Sequence, residues 1–281
     1  MSAQLIGAHM PTGKGLGDAL RRGKAIGCTA VQIFTKSPQL WRAKAITDDM
    51  VADFRAAQAE TGITEVIAHD SYLINLCSSN PEVESKSRVG LADELRRCHQ
   101  YGVKYLVSHI GALTGREEAE ALSLAANTTR ETLDDTPDDV MLLAETTAGQ
   151  GSCLNASFTQ LGAFLRAVDR PNRLGVCLDT CHVFAAGYDL RTAETYTATW
   201  EAFEREVGLE HLKVIHVNDS KMPFGSRKDR HAHLGQGEIG EVGFRLLVKD
   251  PRFARIPLIV ETPEAETHHA ENVARLWEWA R

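Results

Sequence analysis

Short apolar runs alternate along the chain with longer segments in which polar and apolar residues are mixed. Each run has the length and composition of a buried β-strand, and the stretches between them, such as 47–61, 81–101 and 116–134, are amphipathic or alanine-rich, as helices are. The pattern therefore predicts a repeating strand–helix order. The eight predicted strands are 4–9, 30–34, 64–69, 104–109, 139–145, 174–179, 213–218 and 256–261.

Strands that alternate with helices predict a parallel sheet with helices packed against it. Eight strand–helix units favour a closed (β/α)8 barrel over an open doubly wound sheet. In agreement, no GxGxxG motif of a dinucleotide-binding fold follows the first strand. A length of 281 residues suits such a barrel formed by the whole chain. We predict an α/β protein with a single (β/α)8 domain over residues 1–281.

Six of the eight runs carry, at or near their last position, a side chain that binds metal ions. The carboxyl ends of parallel strands meet at one end of a barrel, which is where active sites form. Imidazole with carboxylate is the ligand set of hydrolytic zinc and of manganese or iron. The pattern predicts a metal centre at this end of the barrel, built from His69, His109, Glu145, Asp179, His216 and Glu261.

Three further candidates lie in the long loops predicted at 180–192 and 219–240, namely His182, Asp229 and His231. Nine ligands are too many for one catalytic zinc ion, which takes three from the protein, but they suffice for two or three ions. Neighbouring ions suit displacement at phosphorus, so the set favours hydrolysis of a phosphoester. One such residue alone is often a structural histidine or a helix cap; six strands that behave alike weaken that interpretation.

Net charge, cysteine content and hydrophobicity restrict the possible functions only slightly. The net charge of −7 argues against a nucleic-acid partner, although three bound divalent cations would nearly cancel it. The six cysteines form no CxxC pair, which favours reduced, buried thiols. No stretch reaches the roughly 18 apolar residues of a membrane span, and the first residues show no signal segment. We expect a cytoplasmic monomer without a membrane partner.

Several long motifs closely resemble the endonuclease IV family of apurinic/apyrimidinic (AP) endonucleases, which act in DNA repair. The first is GVCLDTCHVFAAGYDLRT (175–192), and the likeness runs essentially from end to end. The other motifs are AHDSYLINL (68–76), AETTAGQGS (144–152), HVNDSKMPFGSRKDRHAHLGQGEIG (216–240) and PLIVETP (257–263).

The resemblance implies an enzyme that cuts double-stranded DNA 5′ to an abasic site, leaving a 3′-hydroxyl and a 5′-deoxyribose phosphate, and that also trims blocked 3′ ends. It implies attack by a metal-activated hydroxide at three zinc ions, with Mn²⁺ as an alternative occupant of some positions. Glu145 and Glu261 would be catalytic, Glu261 by orienting or deprotonating the water. The implied ligands are His69, His109 and Glu145 for the first ion; Glu145, Asp179, His216 and Glu261 for the second; and His182, Asp229 and His231 for the third.

The same resemblance implies contacts with DNA around the metal centre. Tyr72 and Leu73 would enter the minor groove as a wedge. Lys36, Arg227 and Arg230 would contact phosphates, which positions DNA without reading its sequence. Without the resemblance, these residues would be read as a solvated basic surface and two side chains packed beneath their own loop.

Two positions depart from the family pattern. Gln39 stands where the family usually has an arginine, and we expect it to weaken insertion at the lesion while still contacting DNA. Ile110 stands where the family commonly has a proline in the triplet after strand 4, next to the predicted ligand His109. His9 ends the first predicted strand and could line the site, but its role as a ligand stays open.

Two alternatives remain at this point. A metal-dependent sugar isomerase or epimerase could use the same barrel, but it needs only one or two ions and no basic rim. A non-catalytic protein that binds damaged DNA could carry a structural metal site, although structural zinc sites are usually rich in cysteine.

Overall fold

Eight parallel strands close into a barrel in the computed structural model, which describes residues 4–281; the first three residues of the predicted domain 1–281 lie outside that range. Each barrel strand pairs with its neighbours in chain order, and the last pairs with the first, which confirms the predicted (β/α)8 barrel. The barrel strands are β1 (Ile6–His9), β2 (Ala30–Phe34), β3 (Glu65–His69), β4 (Tyr105–Ser108), β5 (Met141–Glu145), β6 (Leu174–Asp179), β7 (Leu212–His216) and β10 (Leu258–Val260).

The helices pack around the barrel and begin and end largely where the sequence signals them. Asn80 accepts hydrogen bonds from the amides of Glu82 and Val83 at the start of the predicted helix 81–101, and Gly102 takes a left-handed conformation (φ 73°) at its end. The helices are α1 (Leu16–Ala25), α2 (Asp48–Thr61), α3 (Pro81–Tyr101), α4 (Glu118–Asp134), α5 (Phe158–Val168), α6 (Thr180–Ala186), α7 (Ala193–Glu206), α8 (Gly240–Lys249) and α9 (Ala265–Ala280).

The interior of the barrel is closed by one layer of small and branched apolar side chains, with one from each of seven strands. Because side chains alternate between the two faces of a strand, the residue two positions further along points into the same interior, nearer the carboxyl end. For six of the seven strands that residue is a predicted metal ligand. The layer consists of Ala30, Ile67, Val107, Leu143, Cys177, Val214 and Ile259.

A second, larger core fills the space between the sheet and the helices. All six cysteines are free and five are buried, and Cys177 belongs to the interior layer, as expected for small hydrophobic residues. No helix in the described part of the chain is long and apolar enough to cross a membrane.

Two segments predicted as loops contain regular structure. In 180–192, the Asp179 carboxylate accepts a hydrogen bond from the His182 amide (2.9 Å), and this cap starts α6 directly after β6. In 219–240, two short antiparallel strands form, β8 (Asp219–Ser220) and β9 (His231–Ala232). Pairing across the loop, which no local pattern encodes, brings His231 back over the barrel.

Candidate metal centre

The nine predicted ligands lie together at the carboxyl end of the barrel. They fall into three groups in which one nitrogen or carboxylate oxygen from each residue lies within 4.8 Å of the others. Glu145 belongs to two groups, so the groups are neighbours rather than separate sites. The groups are His69, His109 and Glu145; Glu145, Asp179, His216 and Glu261; and His182, Asp229 and His231, and a fourth set that lies equally close together, Asp179, Cys181 and His231, adds a buried thiol and spans the last two groups.

Glu145 lies at the centre of the cluster, 1% exposed, and its two oxygens face different groups. Oε2 is 3.1 Å from His69 Nε2 and 3.2 Å from His109 Nε2. Oε1 is 3.1 Å from His216 Nδ1. A carboxylate that presents one oxygen to each of two neighbouring groups has the arrangement needed to bridge two cations.

The third group is organised around Asp229. Its Oδ2 is 3.2 Å from His182 Nε2 and its Oδ1 is 3.2 Å from His231 Nε2. Despite these short distances the angles are not those of hydrogen bonds, and both Nε2 atoms are buried without one. Buried polar atoms are rarely left unpaired, and a converging set of two imidazole nitrogens and a carboxylate fits a metal ion.

Backbone carbonyls set the orientation of three of these histidines. Nδ1 of His182 lies 2.8 Å from Thr146 O, Nδ1 of His231 lies 3.1 Å from Glu261 O, and Nδ1 of His69 lies 3.0 Å from Asp70 O. A carbonyl can only accept, so each Nδ1 carries a proton, and Nε2 is the nitrogen that faces the cluster and would bind a cation in place of its own proton. Metal-binding histidines are held in the same way.

The electrostatics of the cluster also suit cations. Burial would raise the pKa of the Glu145 and Glu261 carboxyls, but the adjacent histidines hold the pKa of both well below its ordinary value. Burial lowers the pKa of His109, whereas Glu145 outweighs burial at His69 and raises its pKa to about 9. The carboxylates are therefore anionic, and protonated imidazoles and metal cations stabilise such anions alike.

The cluster forms the floor of an open cavity of about 520 Å³, whose lining includes Tyr72, Thr262 and His269. Burial lowers the pKa of His269 to about 4, so this side chain is neutral at neutral pH. His9 also lines the cavity, and its Nδ1 is 3.2 Å from Glu261 Oε1. Because His9 belongs to none of the groups found among residues 4–281, the geometry does not support it as a ligand.

Sequence reasoning missed two buried amides that hold the predicted ligands. Asn218 donates from Nδ2 to Asp179 Oδ2 (2.7 Å) and accepts from the Glu261 amide (2.8 Å). Gln32, on β2, contacts His216 and Glu261. The available signal for Gln32 was its place inside the apolar run AVQIF, where a polar residue needs a partner.

Comparison with known proteins identifies the family. The model of the xylose isomerase-like TIM barrel family matches residues 20–281. A protein from Chloroflexus aggregans named "Probable endonuclease 4" is 49% identical over 262 residues, which cover 93% of this chain and 92% of that relative. The chain belongs to the endonuclease IV family.

Solved structures agree with the sequence relatives. The crystal structure of endonuclease IV from Thermus thermophilus superposes with a TM-score of 0.86 at 38% identity, over 98% of both chains. D-Psicose 3-epimerase from Clostridium cellulolyticum superposes with a TM-score of 0.68 at 14% identity, over 98% of this chain and 94% of that chain. The latter likeness shows the fold alone.

Ile110, where the family motif leads us to expect a proline, is packed beside the predicted ligand His109. Ile110 is buried (1% exposed), and its carbonyl accepts a hydrogen bond from the Leu76 amide (3.0 Å). His109 Nε2 still reaches Glu145. Gly111 follows with φ 141°, a conformation that favours glycine, and an added Cβ there would collide with Asn75 Oδ1.

Most residues expected to contact DNA lie on the rim of the cavity or are exposed near it. Tyr72 is 65% exposed and lines the cavity, with its ring edge-on to Phe34 (5.5 Å between centroids). Gln39, Arg227 and Arg230 are exposed, and Leu73 is half-buried.

Lys36 does not fit the predicted phosphate contact. Its side chain is only 3% exposed, and Nζ lies 2.8 Å from Asp93 Oδ2 and 3.6 Å from Glu94 Oε1, both on α3. Glu94 also accepts a hydrogen bond from Thr35, and Arg97 donates to the Thr35 carbonyl (2.7 Å). The lysine charge is thus used inside the protein, where it fastens the start of the loop after β2 to α3.

Proposed function

We propose that this protein is a zinc-dependent AP endonuclease, which hydrolyses the phosphodiester bond 5′ to an abasic site in double-stranded DNA. The products would be a 3′-hydroxyl and a 5′-deoxyribose phosphate, and the same site would remove blocking groups from 3′ ends. The observation that carries the proposal is the convergence of nine side chains into three adjoining groups, two of which share Glu145, in a chain of the endonuclease IV family.

The donor atoms favour zinc, with Mn²⁺ as an occupant of some positions. Five imidazoles and four carboxylates, with no thiolate among them, match hydrolytic zinc and manganese sites rather than closed structural zinc sites. When bound, such cations lower the pKa of a coordinated water and offset negative charge on phosphoryl oxygens. We propose three ions per chain, one for each group.

The chain's own residues position the reacting groups. The Glu261 side chain is 18% exposed and lines the cavity, so one of its oxygens can accept a hydrogen bond from the attacking water. The adjacent histidines hold the pKa of Glu261 well below its ordinary value, so the carboxylate is ionised and available to orient or deprotonate that water.

The rim would select the damaged strand. Tyr72 and Leu73 can wedge into the minor groove, while Arg227 and Arg230 contact phosphates and Gln39 lies at the position of the family's arginine. An abasic nucleotide has no base to unpair or unstack, so turning it toward the floor of the cavity costs little free energy.

The two alternatives are less well supported by the geometry. A sugar isomerase or epimerase does not require the third group around Asp229, nor exposed arginines beside the cavity. A non-catalytic binding protein would not need the cluster to open into a cavity, since structural metal sites are closed.

Metal analysis and a nicking assay on the same purified protein would test the proposal. We expect about three zinc equivalents per chain, and single-strand cleavage of a duplex with one tetrahydrofuran abasic analogue that leaves a 3′ end extendable by a polymerase. The undamaged duplex is the control. One bound ion with ketose epimerisation, or tight binding of the abasic duplex without cleavage, would replace the proposal by the corresponding alternative.

A further inference from the structure

Gln32 occupies the position on β2 that predicted metal ligands occupy on the other six strands of the interior layer. It stands two residues beyond Ala30 of the interior layer and pairs in register with His9 of β1 and Ile67 of β3. Its side chain is fully buried. A buried amide that lacked partners would cost the fold free energy, so its contacts determine what it does.

The two ends of the Gln32 amide contact two different predicted ligands. One end lies 2.6 Å from Glu261 Oε1 and the other lies 2.8 Å from His216 Nε2. The Glu261 carboxylate can only accept, so the atom that faces it must be the amide nitrogen. The atom that faces His216 is then the carbonyl oxygen, and it must receive a hydrogen from His216 Nε2.

This pairing determines which nitrogen of His216 and which oxygen of Glu261 face the cluster. With Nε2 donating to Gln32, His216 turns Nδ1 toward the cluster, 3.1 Å from Glu145 Oε1 and 3.0 Å from Glu261 Oε2. With Oε1 engaged by Gln32, Glu261 turns Oε2 toward the same point. The Gln32 amide nitrogen also lies 3.0 Å from His9 Nδ1, which is itself 3.2 Å from Glu261 Oε1.

We propose that Gln32 is a positioning residue that aligns His216 and Glu261 as a ligand pair for one metal ion, the ion of the second group. The inference rests on the proposed function, because it assumes that this group binds a metal. Both ligands that Gln32 contacts belong to the second group, so its effect is centred on that ion.

Zinc release from the metal-loaded protein would test this role. Gln32→Met keeps an unbranched side chain but removes both hydrogen bonds. We expect this variant to hold one of its zinc equivalents with about 10- to 100-fold lower affinity than the wild-type protein, as measured by transfer of zinc to a chromogenic chelator. The other equivalents should keep their wild-type affinity. Gln32→Asn, whose shorter amide cannot span both partners, should show the same loss if Gln32→Met does not fold.

Thr132→Val is the matched control, because Thr132 is also buried and its hydroxyl donates to the Thr128 carbonyl on α4, away from the cluster. It should lower the melting temperature without changing zinc release. Unchanged release from a folded Gln32 variant, while the wild-type protein holds zinc and nicks abasic DNA, would overturn this inference alone. A wild-type protein without zinc would overturn the proposed function as well.

Discussion

The floor and the rim of the cavity are built differently. On the floor, Glu145 and His216 are at most 1% exposed, and even His109, among the most open of the predicted ligands, has a side chain only 33% exposed. On the rim, Tyr72 is 65% exposed, with its ring edge-on to Phe34 and 6.1 Å from the His69 ring between centroids. Side chains fixed by strands and buried hydrogen bonds suit chemistry that needs a fixed geometry, whereas exposed loop side chains can adapt to DNA or change between relatives.

Removing a floor residue should have the largest effect. We expect Glu145→Ala or His109→Ala to lower the nicking rate by about 1,000-fold or more, a loss of about 4 kcal/mol in transition-state stabilisation, and to reduce bound zinc. His99→Ala is the control, since His99 is an exposed histidine paired with Asp139. Near wild-type nicking by either floor variant after treatment with chelator would contradict the proposed chemistry.

Removing Tyr72, the aromatic residue of the rim, should weaken DNA binding without altering the metal centre. Tyr72→Ala should weaken binding to an abasic duplex by about 10- to 100-fold, because stacking of an aromatic side chain on bases contributes about 1–3 kcal/mol. Zinc content should not change. Val89→Ala, at an equally exposed apolar residue on α3, provides the control in the same titration. Unchanged affinity for Tyr72→Ala would assign that ring to packing against Phe34.

The salt dependence of DNA affinity should differ between variants of two basic residues, one on the rim and one in the interior. Arg230→Ala should reduce the slope of log affinity against log salt by about 1, as expected when one phosphate contact is lost. Lys36→Met should leave that slope unchanged and instead lower the free energy of unfolding by about 1.5–3 kcal/mol, because Asp93 and Glu94 lose their partner. Equal changes in slope for the two variants would restore Lys36 as a DNA contact.

The smallest effect is expected at residue 39, where the family motif leads us to expect an arginine. Gln39→Arg should tighten binding to the abasic duplex by about two- to fivefold, since an exposed charge contributes up to about 1 kcal/mol. The gain should shrink at high salt, because exposed charges are screened. An equal gain on undamaged DNA would mean that residue 39 senses the phosphates rather than the lesion.

Pattern and spacing in the sequence predict the floor well and the rim poorly. Each strand run places its final polar residue at one end of the barrel, so six of the nine clustered residues follow from local pattern alone. The remaining three were candidates because they are His and Asp residues in the long loops beyond the strands, and their convergence depends on a helix capped by Asp179 and on the pairing of β8 with β9. Lys36 was misplaced because a basic loop residue reads the same whether it faces solvent or a buried glutamate.

By itself, the sequence determined the barrel, its order of strands and the identity of the side chains at its carboxyl end, because alternation and strand length are local properties. Only the tertiary structure decided that Glu145 turns one oxygen to each of two groups, that Gln32 joins His216 to Glu261, and that Lys36 is buried. These are contacts between residues far apart in the chain. Their partners are chosen by packing and by the need to satisfy buried charge, which no single segment encodes.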